Sequence, residues 1–226
     1  MKVNLNNLLK QYENRKSFWI GSLVGVVIIA IIALIIYNAA NNKYTAEQIQ
    51  YIEKVEHSRT EKDAWMKNDP ASPFNAKGKV EFHNLKYFPV VPEWVFQSKL
   101  YEFEQKDEIF IYGTKGEIRK TIRYGYITFS KNEIVYKLNV YQGETPSGKK
   151  YYSIWFTDKT TNNETYGVGR YIDFEINDDP NYIYTIDFNL AYNPYCSYSP
   201  NYSCAIPTKE DYLPLEIKVG EKKFHD

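Results

Sequence analysis

Residues 18–37 read FWIGSLVGVVIIAIIALIIY, an apolar run with no ionisable side chain between Lys16 and Lys43. At ~1.5 Å of rise per residue, about twenty such residues span the roughly 30 Å hydrocarbon core of a bilayer, and a helix satisfies its own backbone there. The pattern predicts one transmembrane helix. A cleaved secretory signal is the competing reading, but its apolar region is usually about 7–15 residues long and ends at a small-x-small site. Tyr37-Asn38-Ala39-Ala40 is a poor match to such a site, and no cysteine follows closely to carry a lipid.

Beyond the run the pattern turns polar. Thr45-Ala46-Glu47-Gln48 has the form of a capping box, and neither proline nor glycine occurs from there to residue 68, which predicts a helix. Its apolar positions, Ile49, Ile52, Val55, Trp65 and Met66, are too sparse for a buried helix, so a stalk that docks only at its end is expected. Asp69-Pro70-Ala71-Ser72-Pro73 then breaks it.

From there the period changes to two. Trp94, Phe96 and Leu100 alternate with Gln97, Lys99 and Tyr101, and residues 109–112, 118–129 and 134–141 repeat the theme between turn-forming clusters. Further strands are predicted at 151–156, 166–175, 183–188 and 215–219. No helix-length pattern separates them, so the fold class is mainly β, an antiparallel barrel or sandwich. The expected organisation is a cytoplasmic tail at 1–17, a membrane helix at 18–37, a stalk helix and linker at 38–68, and a β-rich domain at 69–226.

Charge orients the chain. Lys2, Lys10, Arg15 and Lys16 oppose only Glu13 before the apolar run, whereas the first residues after it carry just Lys43 and Glu47. The positive-inside bias places the N-terminus in the cytoplasm and the β-rich domain outside it. Net charge is zero overall, so the tail's excess of bases leaves the remainder mildly acidic with mixed signs, no footprint for nucleic acid or anionic lipid. Gly21 and Gly25 form a GxxxG through which two such helices could approach, a weak option for dimerisation. The 22 tyrosines and 12 phenylalanines suit half-buried strands.

Polar residues of chemical interest concentrate late in the chain: Phe156-Thr157-Asp158-Lys159-Thr160, then Glu164-Thr165-Tyr166-Gly167-Val168-Gly169-Arg170-Tyr171, then Asp187-Phe188-Asn189-Leu190-Ala191-Tyr192-Asn193-Pro194-Tyr195-Cys196. With Cys204 and Gly220-Glu221-Lys222 after them, these segments resemble a widespread bacterial family known only as a domain of unknown function. The resemblance runs from about residue 72 to 222 and implies a mostly β domain with no established activity to carry over. The chain departs from the family pattern after Cys204, where Ala205-Ile206-Pro207-Thr208-Lys209-Glu210-Asp211 replaces a proline-rich stretch.

Physically, Gly167 and Gly169 permit a bulge or a close backbone approach beside Arg170. Arg170 is positioned to pair with Asp158 or Asp187, either as a buried structural ion pair or by holding a ligand's carboxylate or phosphate. Asp187, Asn189 and Asn193 are suited to satisfying loop backbone. A functional reading makes Asp158, Glu164 and Asp187 an acid–base set or a Ca²⁺ site, provided that they converge in space.

Cys196 and Cys204 lie in the only long irregular stretch, residues 189–211. Outside the cytoplasm a disulfide between them is the natural expectation, worth about 2–3 kcal/mol by chain entropy, against free thiols if the compartment is reducing. A metal site is not expected, because His57, His83 and His225 are scattered far from the cysteines. No histidine falls within the motifs, so a hydrolytic triad has no support, and no cofactor signature is evident.

Three readings follow. The first is an envelope protein with a single membrane span, binding a small molecule, a glycan or another envelope protein through a tyrosine-walled pocket around Arg170, Asp187 and Asn189, with Asp158, Glu164, Tyr166 and Asn193 contributing. The second is an enzyme working through its carboxylates. The third is a structural module whose motif residues only hold the fold.

Overall fold

The computed structural model describes residues 43–145 and 147–225. The expected membrane helix at 18–37, the tail before it and the Gly21/Gly25 pair lie outside the described residues. Among the described residues no helix is long and apolar enough to cross a membrane.

Helix α1 (Ala46–Asn68) starts where the capping box placed it. The Thr45 amide donates to Gln48 Oε1 at 2.9 Å and the Gln48 amide donates to Thr45 Oγ1 at 3.2 Å. The body of the molecule begins at Gln50. From there the helix does not stand off as a stalk. Val55, Arg59 and Met66 are buried, and the Tyr51 hydroxyl donates to Asp187 Oδ2 at 2.7 Å. Tyr51, Val55 and Arg59 recur every four residues, so polar and charged side chains complete a docking stripe that the apolar positions alone leave sparse.

Among the described residues nine strands follow: β1 (Val95–Ser98), β2 (Tyr101–Glu102), β3 (Glu108–Tyr112), β4 (Ile118–Lys131), β5 (Ile134–Glu144), β6 (Lys150–Asp158), β7 (Arg170–Phe174), β8 (Tyr184–Asp187) and β9 (Tyr212–Leu213). The main sheet runs β2-β4-β5-β6-β7 in antiparallel order, β3 sharing β4's outer edge and β9 joining β6 in parallel. β1 and β8 form a separate antiparallel ladder. The main sheet is open: β7 meets no strand on its outer side, only an isolated bridge from Tyr171 to Tyr192, so the expected barrel does not close among the described residues.

Alternation decides what each face buries. Leu138 and Val140, Ile154 and Phe156, Ile172 and Phe174 point to one face and pack with Tyr184, Ile186 and Phe188 from the β1–β8 ladder side. The opposite face carries Tyr141, Trp155 and Ile111 in a smaller cluster with Ala205 from the cysteine loop. A third cluster joins Met66 of α1 to Phe74, Leu85, Tyr198 and Phe224. The sheet centre is therefore buried on both sides, which is why consecutive positions of β5 and β6 are buried, polar Asn139, Gln142 and Ser153 among them.

Two expected strands differ. β7 begins at Arg170 rather than 166, because Gly169 adopts φ +99° and a Cβ there would stand 2.5 Å from the Phe156 carbonyl oxygen. Residues 215–219 form no strand: Ile217 and Val219 are buried with alternating exposed neighbours, yet their carbonyls accept from the Arg170 guanidinium.

Candidate functional site: an aromatic cleft

A cleft of about 730 Å³ opens on the face of the sheet that carries Trp155. Its floor is built by period two. Tyr151, Ser153 and Trp155 of β6 lie beside Tyr171 and Asp173 of β7, in the register Ser153 to Asp173 and Trp155 to Tyr171. One wall is the inner face of α1, with Arg59, Lys62, Trp65 and Met66. The other is the cysteine loop, with Tyr192, Tyr195, Tyr202 and Cys204.

Rings support one another beneath and around this floor. Tyr141 stacks under Trp155 with centroids 4.5 Å apart and planes 10° from parallel, and Tyr195 meets Tyr202 edge-on at 5.3 Å. The Tyr171 hydroxyl donates to the Ala205 carbonyl, pinning the loop to the sheet. Tyr51, Tyr87, Tyr171 and Tyr192 all hold their protons far more tightly than free tyrosine, burial being the largest cause at each. Of these, Tyr87, Tyr171 and Tyr192 line the cleft, and their phenols stay neutral.

The charged groups around the cleft are each engaged by the protein itself. Arg59 donates to Glu56 at 3.0 Å and to the carbonyls of Phe88 and Asn189. Lys62 stands 3.4 Å from the buried Glu221 carboxylate and 5.0 Å from the centroid of the Tyr192 ring. Arg119 pairs with Glu117 at 2.7 Å and donates to the Ser203 carbonyl at 2.6 Å, while Asp173 accepts from the Tyr192 hydroxyl at 2.6 Å. Toward a ligand the cleft presents mainly ring face: the Tyr171 and Tyr192 hydroxyls are already donated, while the Tyr87 hydroxyl and Arg59 Nε have no protein partner.

The sequence-selected residues lie elsewhere. Arg170 and Asp158 are sealed: the pair is 2.6 Å apart with side-chain exposures of 1% and 0%. Asp158 also accepts from the Thr160 amide, and Arg170 donates to the Ile217 carbonyl from Nη2, the nitrogen that pairs with Asp158, and to the Val219 carbonyl from Nη1. Asp187 accepts from Tyr51 and from the Asn189 amide at 2.9 Å. Asn189 binds both the amide and the carbonyl of Val91, at 2.8 and 3.0 Å. Asn193 is buried, its amide donating to Glu221 Oε2 at 2.6 Å and its side chain to the Lys222 carbonyl.

Glu164 is half-buried and pairs with Lys218 at 3.0 Å. Tyr166 lines a smaller cavity of about 240 Å³ and reaches the Cys196 carbonyl at 3.3 Å. The expected pocket around Arg170 and Asp187 is thus not an opening, since both are packed beneath other atoms; of the seven residues only Asn189 borders the large cleft. Asp158, Glu164 and Asp187 each serve a different partner, and among the described residues no three acidic, histidine or cysteine groups could hold a metal ion. Cys196 and Cys204 are free thiols, so the expected disulfide is not formed in this structure. They are neighbours nonetheless, the Cys196 amide donating to Cys204 Sγ at 3.2 Å.

Sequence reasoning missed the helix wall and the β6 floor. One signal was present: residues 151–156 carry aromatic or apolar side chains on both alternating faces, interrupted only by Ser153, the mark of a strand covered on two sides.

The family model described as "Protein of unknown function (DUF1684)" matches residues 80–222. The chain belongs to the DUF1684 family. That span holds the floor of the cleft, its loop wall and every residue of the buried Arg170 network, while the α1 wall precedes it. No curated protein matches the chain. Among solved structures, an uncharacterised protein of Haloarcula marismortui determined by solution NMR is similar to this DUF1684 chain, with 23% identity and a TM-score of 0.56, covering 78% of this chain and 96% of its own. At that identity the likeness is one of fold.

Proposed function

We propose that this DUF1684 chain is a membrane-tethered envelope protein whose β domain binds a neutral, polyhydroxylated ligand, a sugar or glycan, in the aromatic cleft. The observation that carries the reading is the pairing of charges: Arg59, Lys62, Arg119 and Asp173 each contact a protein partner, Arg59 Nε alone of the Arg59 donors lacking one, so most of the remaining lining is tyrosine and tryptophan surface. Rings of this kind stack on the apolar faces of sugars while their hydroxyls trade hydrogen bonds with sugar hydroxyls. The volume of about 730 Å³ falls within the size range of small-molecule sites. The tether is the apolar run at 18–37, and the basic tail before it directs the domain to the outer side.

The burial of Arg170, Asp158, Asp187, Asn189 and Asn193 supports a division of labour in which the sequence motifs hold the fold and the cleft meets the ligand. Titrating full-length protein in detergent with neutral and with anionic oligosaccharides, and following tryptophan emission, tests the binding half. Saturable change with neutral sugars alone is expected; response only to the anionic ones would overturn it. A phosphatase reporter fused after the last residue tests the tether, with activity expected outside the cytoplasm.

A further inference from the structure

We propose that Cys196 and Cys204 form a dithiol that exchanges with small-molecule disulfides, Cys196 attacking first and Cys204 resolving the mixed disulfide.

The geometry is asymmetric. Cys204 is buried and fixed through both of its flanking peptide groups: its amide donates to Thr114 Oγ1 at 3.2 Å and its carbonyl accepts from the Thr114 amide at 3.0 Å. Cys196 is only partly covered and sits in a single 3₁₀ turn, Tyr195–Ser197. The Tyr166 hydroxyl lies 3.8 Å from Cys196 Sγ, a donor to that sulfur when it carries charge. Cys204 Sγ in turn accepts from the Cys196 amide, which keeps the two side chains together while both are reduced.

Electrostatics run the same way. A hydrogen bond from the Cys204 thiol, with help from Tyr166 and Thr114, outweighs burial and brings the Cys196 pKa down to about 7. The reciprocal bond and burial push Cys204 well above the ordinary thiol range. One sulfur is therefore a thiolate near neutral pH and the other retains its proton, the arrangement that an attacking and a resolving thiol require.

The exchange balances with glutathione disulfide as oxidant. The Cys196 thiolate attacks one sulfur, the glutathione S–S bond breaks, and one glutathione thiolate leaves. Cys204 then gives up its proton and attacks the Cys196 sulfur, forming the intramolecular bond and expelling the second glutathione. Two electrons pass from the protein to the small disulfide, and the two thiol protons end on two glutathiones. The new bond would staple the loop wall of the cleft, since Tyr195, Tyr202 and Cys204 all line it.

Full-length reduced protein mixed with glutathione disulfide tests this by mass spectrometry. Wild type is expected to pass through a transient adduct and end with no glutathione attached and two thiols lost. Cys204→Ser should stop at one stable adduct, and Cys196→Ser should react about 100-fold more slowly or less. Equal rates for the two variants, or a wild type that stops at a stable adduct, would overturn the proposal. If a serine variant does not fold, rapid quenching of wild type decides: the first glutathione on Cys196 supports it and on Cys204 sinks it.

Discussion

Arg170 and Asp158 form an ion pair of 2.6 Å in which neither side chain exceeds 1% exposure. A buried pair gains little over a well-packed apolar substitute, but removing one partner leaves the other as an uncompensated buried charge. Arg170 does more than neutralise Asp158, because it also serves the carbonyls of Ile217 and Val219, which lack a strand partner. Arg170→Met is therefore expected to destabilise the domain by about 3–5 kcal/mol in urea denaturation. A loss below about 1 kcal/mol would mean that the tail segment finds other donors.

The Tyr51 hydroxyl and Asp187 join α1 to the end of β8 across 136 residues of sequence. Hydrogen bonds to a carboxylate are worth about 1.5–3 kcal/mol, and the half-buried position of Tyr51 favours the lower end. Tyr51→Phe should cost about 1.5 kcal/mol and speed amide exchange in the helix more than in β5. Uniform change across both elements would show that the helix does not open separately.

Gly169 predicts its own test. At φ +99° and with the Phe156 carbonyl in the way, Gly169→Ala should cost about 1–3 kcal/mol by equilibrium unfolding. An unchanged midpoint would show that the backbone relaxes freely before Arg170.

This glycine also marks how far the chain could be read beforehand. Alternation in β4, β5 and β6 is strong enough to place those strands, and the Thr45 to Gln48 capping box places the helix start, because both signals are local. The expected strand at 215–219 has the right alternation, but its hydrogen bonds go to a side chain 47 residues earlier, which no local pattern encodes. The cleft was invisible for the same reason: its walls come from residues near 60, 155 and 200, and each stretch alone looks like ordinary core or loop. Asp158, Arg170, Asp187, Asn189 and Asn193 stand out in the sequence by residue type and spacing, but whether each opens to a ligand depends on packing that spacing does not encode, and all five are buried.

Tyr151 and Tyr195 are 44% and 38% exposed at the cleft, so truncating them opens no cavity in the core. Tyr151→Ala and Tyr195→Ala should each change stability by no more than about 0.5 kcal/mol. An aromatic contact worth about 1 kcal/mol corresponds to a several-fold loss of sugar affinity for each. Unaltered binding in both, with the fold intact, would move the ligand away from this cleft.

The thiol pair gives a pH signature that separates its two members. Cys196 has its proton affinity lowered chiefly by the hydrogen bond from Cys204, so alkylation of Cys196 by iodoacetamide should accelerate as pH rises through about 7 and level off above it. The sign follows from chemistry: below that pH the thiol is protonated and inert, above it the thiolate reacts. Cys204→Ala deletes the donor, and the midpoint should then move up toward the ordinary value of about 8.5. Tyr166→Phe removes a weaker donor at 3.8 Å and should shift it in the same direction by less. A midpoint that stays put in Cys204→Ala would mean that the surrounding backbone, not the second sulfur, sets the reactivity of Cys196.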